Sequence, residues 1–452
     1  MRNIFKRKEL FAALARTSVA RAIAAFGVLA LGVVLARLYG AEGVGVFALA
    51  QSLAACASLL ARRGMSVALI RLAGCDHSDS SSWAIAKKAI RKTMVFSIAA
   101  TSAILVLREW IAGVFSAPQL EPLLVPISLS VPALTISFML AGFMKGVRKP
   151  ASASLLENGA ISLTACAALL VYSKLEPHST FLSAGWAFSL AAWAILVLGS
   201  IQVSFWLRIT PPKTTFTEAE LNLKNQELLI ASNSFFVLDV AKYSQSVLSV
   251  LIAGLLLNAA DLGLFKTAER SGMLIGFVLM VINAVLPSRF SSLFYNGELE
   301  ALGRLARLGG AMGLILALPL LGICIFAPHW ILGLFGAEFI QADNLLRIIA
   351  FAQLVNVATA SVDYLLSMTG HEKLIRNITV TCSLLGIGLY ILFILWFGVV
   401  GAAWAFALTM ILQKSISVYF VWKVLGIWTL PFPNVLGAAG VRSSALPATS
   451  DI

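Results

Sequence analysis

Apolar runs of about twenty residues, parted by short polar breaks, fill this 452-residue chain from near its start to about residue 425. A helix needs about 20 apolar residues to cross the hydrocarbon layer of a bilayer. By that ruler spans fall near 16–37, 43–61, 93–113, 123–143, 151–173 and 181–207. After a polar break come 226–255, 263–287, 305–327, 343–367, 376–397 and 401–424. The ruler therefore predicts about twelve spans, six in each half. Composition agrees, because only 12% of the residues are charged and 59% are hydrophobic. Soluble domains carry about 25% charged residues, and so few charges cannot clothe a water-facing surface. The expected class is an all-α polytopic membrane protein.

The chain writes one stretch twice. Trp110-Ile111-Ala112-Gly113-Val114-Phe115-Ser116-Ala117 returns as Trp330-Ile331-Leu332-Gly333-Leu334-Phe335-Gly336-Ala337. Gly45-Val46-Phe47 returns as Gly263-Leu264-Phe265, and Met144 to Lys149 is echoed by Met368 to Lys373. The period is half the chain, far beyond a solenoid repeat. Two related bundles are expected, 1–207 and 226–425, joined by a linker at 208–225 that holds Pro211, Pro212 and Lys213. The tail, 426–452, is rich in Pro, Gly and Ser and is expected to be largely disordered. Repeats of several spans are a common transporter plan, with the substrate site between them.

Net charge is +13. No separate basic domain exists to hold a nucleic acid, so the excess is assigned to loops beside anionic lipid. Alternate loops differ sharply. One set carries nearly all the Lys and Arg, from Arg2, Lys6, Arg7 and Lys8 through Arg62 and Arg63 to Lys423, while the other holds Arg37, Arg108 and Lys174. Both ends are therefore expected in the cytoplasm, which requires an even number of spans. The apolar run after Lys8 continues to about Arg37, too long for a cleaved signal peptide, so it is read as the first span. Cys56, Cys75, Cys166, Cys324 and Cys382 form no CxxC pair and read as small core residues. Cys75 and His77 share a loop, but two ligands make no metal site. No cofactor or metal is expected.

Ionisable residues inside spans are costly in lipid, and they usually face a cavity, a partner or a water path. The seventh span holds Asp239 and Lys242, three apart on one helix face. The eighth holds Lys266, Glu269 and Arg270, with Lys266 and Arg270 also sharing a face. Either a functional cavity or a structural ion pair accounts for these groups. In the first span Arg16 reads as snorkelling from the edge, and Arg21 lies over a turn deeper. Glu157 and Asp363 are weaker candidates, each equally explained by a helix–helix contact. Arg347 and Lys414 read as anchors near span ends, and Pro122, Pro126 and Pro132 are expected to break the fourth span.

Residues 36–50, Ala-Arg-Leu-Tyr-Gly-Ala-Glu-Gly-Val-Gly-Val-Phe-Ala-Leu-Ala, resemble a signature of bacterial polysaccharide transporters, including the O-antigen flippases. These belong to the multidrug, oligosaccharidyl-lipid and polysaccharide (MOP) exporter superfamily. Arg62-Arg63-Gly64-Met65-Ser66, the stretch 259–270, Leu286-Pro287-Ser288-Arg289-Phe290 and the glycine-rich 398–405 are similar too. The resemblance covers roughly residues 10 to 425 and implies two six-helix bundles facing a cavity lined by spans one, two, seven and eight. It implies a flippase that carries lipid-linked oligosaccharide across the bacterial inner membrane by alternating access. Arg21, Lys242, Lys266 or Arg270 would then hold the anionic diphosphate head group, with Asp239 and Glu269 beside them. Membrane lipids, a polysaccharide polymerase and a chain-length regulator are the implied partners. A cation-coupled multidrug exporter and a lipid II flippase are the alternatives from the same superfamily. A membrane glycosyltransferase, polymerase or ligase is disfavoured, because the outer loops are short and no DxD pair stands in them. No P-loop pattern is present for ATP use.

Overall fold

The computed structural model describes residues 2–74, 82–175, 181–211, 217–359 and 362–430. Among them every regular element is helical. In chain order these are α1 (Arg2–Arg62), α2 (Met65–Gly74), α3 (Ser82–Val106), α4 (Arg108–Val114), α5 (Leu120–Gly146), α6 (Pro150–Leu155), α7 (Asn158–Leu175) and α8 (Leu182–Ile209). Then follow α9 (Glu218–Tyr243), a π-helical turn (Ser244–Leu248), α10 (Ser249–Leu256), α11 (Ala259–Tyr295), α12 (Leu299–Phe326) and α13 (Pro328–Gly333). A 3-10 turn (Ala337–Ala342), α14 (Asp343–Ala358), α15 (Val362–Met368) and α16 (Glu372–Leu425) complete the series.

Seven helices among the described residues are long and apolar enough to cross a membrane, or eight if the bent pair α9–α10 counts as one. Two of the seven are too long for a single crossing. Val19–Arg62 has 44 residues and Glu372–Leu425 has 54. At 1.5 Å per residue these are about 66 and 81 Å, more than twice a ~30 Å hydrocarbon layer. Each contains one glycine outside helical geometry, Gly40 (φ 65°) and Gly398 (φ 57°). A positive φ suits only glycine at low cost, so these residues divide each long rod into two runs. The total of twelve crossings remains our proposal.

The contacts separate the chain into two compact units, residues 1–266 and 267–452. Unit 1 is built around α5, whose apolar window is 78% buried. Helices α1, α2, α3 and α8 pack on it. The proline expectation is corrected here. Pro126 and Pro132 lie inside α5, yet the helix runs unbroken from Leu120 to Gly146. Pro132 has no N–H to give the Ser128 carbonyl one turn back. Thr101 of α3 comes within reach of that carbonyl: its Oγ1 lies 3.2 Å from Ser128 O and shares its one proton with Ser97 O at 2.9 Å. A neighbouring helix can thus replace a bond that proline removes.

Between the spans read at 43–61 and 93–113, the described residues are mostly helical, in α2 and the start of α3. Met65, Ala68, Leu69 and Ala73 of α2 are buried at helical spacing, and α2 lies along α5. Gly142 and Gly146 of α5 permit that approach. A Cβ on Gly142 would meet Ser66 O at 2.2 Å, and one on Gly146 would meet the Ala73 Cβ at 2.6 Å.

In unit 2 a core gathers Leu286, Phe290, Phe294, Leu302, Leu365, Cys382, Val421 and Leu425. The first residues after α16 are described as far as residue 430. Gly426 caps α16 in the left-handed region (φ 68°) and turns the chain back. Ile427 and Thr429 are buried, and Arg307 Nη1 donates to Trp428 O at 3.3 Å. Residues 431–452, where the rest of the expected disorder falls, lie outside the described residues.

Candidate functional site

Arg62 closes α1, and its side chain turns inward. The sequence counts it among the basic residues of one set of loops, and in the structure it is 3% exposed. The turn that follows explains the burial. Arg63 (φ 47°) and Gly64 (φ 74°) are both left-handed, and together they reverse the chain into α2. A Cβ on Gly64 would meet Ser232 O at 2.4 Å and Phe236 N at 2.6 Å, so the turn is wedged directly against the α9 backbone. Only glycine fits there.

Held in this way, the Arg62 guanidinium lies 4.2 Å from the Phe138 ring centroid of α5 and 5.3 Å from that of Tyr243 on α9. A desolvated cation over an aromatic face is stabilised by about 2 kcal/mol or more, which offsets part of the cost of burying the charge. Arg62 Nε has no hydrogen-bond partner among the described residues. The guanidinium has the planar form suited to phosphate oxygens, and its Nε is an unsatisfied donor that is itself buried. Arg63 beside it is exposed, 6.0 Å from the Phe96 ring centroid.

Tyr243 is the last residue of α9 before the π-helical turn. Across that turn the axis bends by 46°. Single π turns inside α-helices are frequent at functional sites. Asp239, one turn earlier on α9, is buried. The side chain of Lys242 lies outside the described residues.

The remaining sequence candidates scatter. Arg16 and Arg21 are exposed on α1. Lys266 is half-buried on α11 and is the last residue of unit 1. Glu269 and Arg270, in unit 2, are 1% and 7% exposed, and the Glu269 carboxylate acts electrostatically on its neighbour. Glu157 pairs with Lys145 across the α5–α7 corner. Asp363 of α15 accepts from Lys414 Nζ of α16 at 2.7 Å. Lys414 is thus half of a helix–helix ion pair, which corrects its reading as a span-end anchor. Arg347 donates from Nε to Ile325 O at 3.1 Å. Cys75, His77 and His178 lie outside the described residues, and no group of three or more metal-ligating side chains occurs among those that are described.

Only a weak signal in the sequence could have found Arg62. The Arg-Arg-Gly run marks a helix end, but nothing local separates the buried arginine from the exposed one.

Residues 11–294 match the profile of the family described as polysaccharide biosynthesis protein. The chain belongs to this family. A curated relative, the probable low-salt glycan biosynthesis flippase Agl15 of Haloferax volcanii, is 26% identical over 211 residues. That alignment spans 46% of this chain and 44% of the relative, so the chain matches under half the length of this relative. Among solved structures, the lipid II flippase MurJ in an inward closed conformation aligns over 90% of this chain and 87% of its own, with TM-score 0.68 and 14% identity. The MATE multidrug transporter DinF-BH aligns over 91% of this chain and 95% of its own, with TM-score 0.63 and 16% identity. At these identities the likeness establishes the fold, which is that of MOP superfamily transporters. This polysaccharide biosynthesis protein is a multi-pass membrane protein, and its relatives are flippases and transporters rather than enzymes.

Proposed function

We propose that this protein is a flippase that moves polyprenyl-diphosphate-linked oligosaccharide across the bacterial inner membrane by alternating access, for surface or exopolysaccharide synthesis. The observation that carries this reading is Arg62: a guanidinium buried between two aromatic rings, with a donor to spare, in a family tied to polysaccharide biosynthesis. A diphosphate is the anion such a group would hold. Both chain ends lie in the cytoplasm in this proposal, which puts Arg62 at the cytoplasmic end of its helix. Lys242, Lys266 and Arg270 would add positive charge along the route, and Asp239 or Glu269 would carry a coupling proton.

The alternative is a cation-coupled drug exporter. Two observations count against it. Glu157 and Asp363 each hold a lysine ammonium in an ion pair, so neither stands as a bare carboxylate for a coupling metal cation or a cationic drug.

Deletion of the gene in a polysaccharide-producing cell tests the proposal. The expected result is loss of surface polysaccharide with lipid-linked intermediates accumulating on the cytoplasmic leaflet, restored by the wild-type chain and not by Arg62→Ala. Undiminished surface polysaccharide after deletion would refute it.

A further inference from the structure

Three turns of unit 1 meet around a cavity of about 510 Å³. Glu42 comes from α1 just after the Gly40 kink, residues 115–119 from the α4–α5 turn, and residues 255–260 from the α10–α11 turn. Small-molecule sites span about 300–1,000 Å³, so the volume admits an oligosaccharide segment. These turns stand at the helix ends opposite Arg62, on the face with few basic residues.

The lining mixes polar and apolar groups as sugar recognition requires. Gln119 Nε2 donates to Glu42 Oε1 at 2.8 Å, which fixes a carboxamide beside a carboxylate. The Gln119 carbonyl, its second N–H and the other Glu42 oxygen stay available to hydroxyl groups. Asn258 is fixed as well. Its Oδ1 accepts from the Asp261 N–H at 2.7 Å, and its Nδ2 donates to Asp261 Oδ2 at 2.9 Å. Phe115 and Val46 supply apolar surface for a sugar's C–H face. Among the described lining residues Glu42 is the ionisable one, so the site repels anions.

We propose that this cavity is a saccharide-binding site for neutral or amino sugars of the glycan, on the outer face of the protein. It rests on the flippase reading for the identity of the glycan. The two charged features divide the substrate: the basic end takes the diphosphate, and the carboxylate–carboxamide cavity takes sugars once they have crossed.

The test uses the full chain purified in lipid nanodiscs, titrated with three free trisaccharides and followed by ligand-observed NMR. Chitotriose is neutral, its deacetylated form is cationic, and trigalacturonic acid is anionic. The wild-type chain is expected to bind the first two and not the third. Gln119→Ala is expected to weaken both at least ten-fold, and Glu42→Gln to weaken the deacetylated sugar more than chitotriose. Gly113→Ala, at a glycine with no atom within 4 Å of an added Cβ, controls for general damage and should bind as wild type. Absence of binding to the wild type, preference for the acidic sugar, or equal binding by all variants would overturn the proposal. The flippase reading fails separately. If gene deletion leaves export intact while Gln119→Ala still abolishes sugar binding, the cavity binds saccharide in a protein that does not flip it.

Discussion

Gly45 and Gly263, echoes of one another in the sequence, meet in the structure. A Cβ on Gly45 would stand 1.8 Å from Ala259 O, and one on Gly263 would stand 1.9 Å from Ala41 O. The contact is reciprocal, at the same sequence offset in both directions. Gly45→Ala would push the α11 backbone away by about 1.2 Å, the gap between 1.8 Å and the 3.0 Å floor for real Cβ contacts. The obstacle is backbone, so no rotamer relieves it. Overpacking of this kind costs about 1–3 kcal/mol, against a gain of up to about 1 kcal/mol from replacing a helical glycine by alanine. Gly113→Ala collects the same gain with no clash, which makes it the internal reference. At about 2–4 °C per kcal/mol, the ~1–3 kcal/mol should make Gly45→Ala melt about 2–12 °C below Gly113→Ala when unfolding is followed in detergent. Gly45→Ala/Gly263→Ala should fall short of the sum of the single effects, because the first displacement makes room for the second methyl. Equal melting temperatures for Gly45→Ala and Gly113→Ala would refute the close crossing.

Arg62→Lys keeps the charge but loses the flat stacking surface, so export in the complementation assay should drop about ten-fold or more, in line with about 2 kcal/mol of cation–π stabilisation. Asp363→Asn and Lys414→Met should each destabilise the protein by about 1–3 kcal/mol by stranding a partly buried partner, while the double variant recovers most of the loss, as a denaturation cycle will show. Thr101→Val leaves the Ser128 carbonyl without its replacement donor and should cost about 1–3 kcal/mol, unless Pro132 is changed to alanine as well, which restores the helix's own N–H. The Glu220 carboxyl is held below its ordinary value by hydrogen bonds from the Thr217 backbone N–H and then the Thr217 hydroxyl. A depressed folded value means that this contribution is complete above the unfolded carboxylate pKa of 4.5 and is lost as pH falls through the folded value. Amide protection in the first turn of α9, taken relative to the intrinsic exchange rate at each pH, should therefore fall as pH drops through the folded value in the wild type and show no such step in Glu220→Gln.

Hydropathy and the glycine pattern determined the class of this protein. Apolar length is a property of a segment by itself, so membrane helices at 123–143 or 305–327 are legible without knowing their neighbours, and so is the family likeness around residues 36–50. What each polar group touches is not a local property. Arg62 and Arg63 are adjacent and chemically identical, yet one is buried against Phe138 and Tyr243 and the other is exposed, because the Gly64 turn is pinned on α9 about 170 residues away. The sequence marked Asp363 and Lys414 as separate curiosities, and only the packing of α15 on α16 made them a pair. Pro132 signalled a break, yet α5 runs on through it with a threonine of another helix at the stranded carbonyl. The burial of a charge, the pairing of a carboxylate and the rescue of a carbonyl each depend on which distant segment crosses nearby, and that was decided only by the tertiary structure.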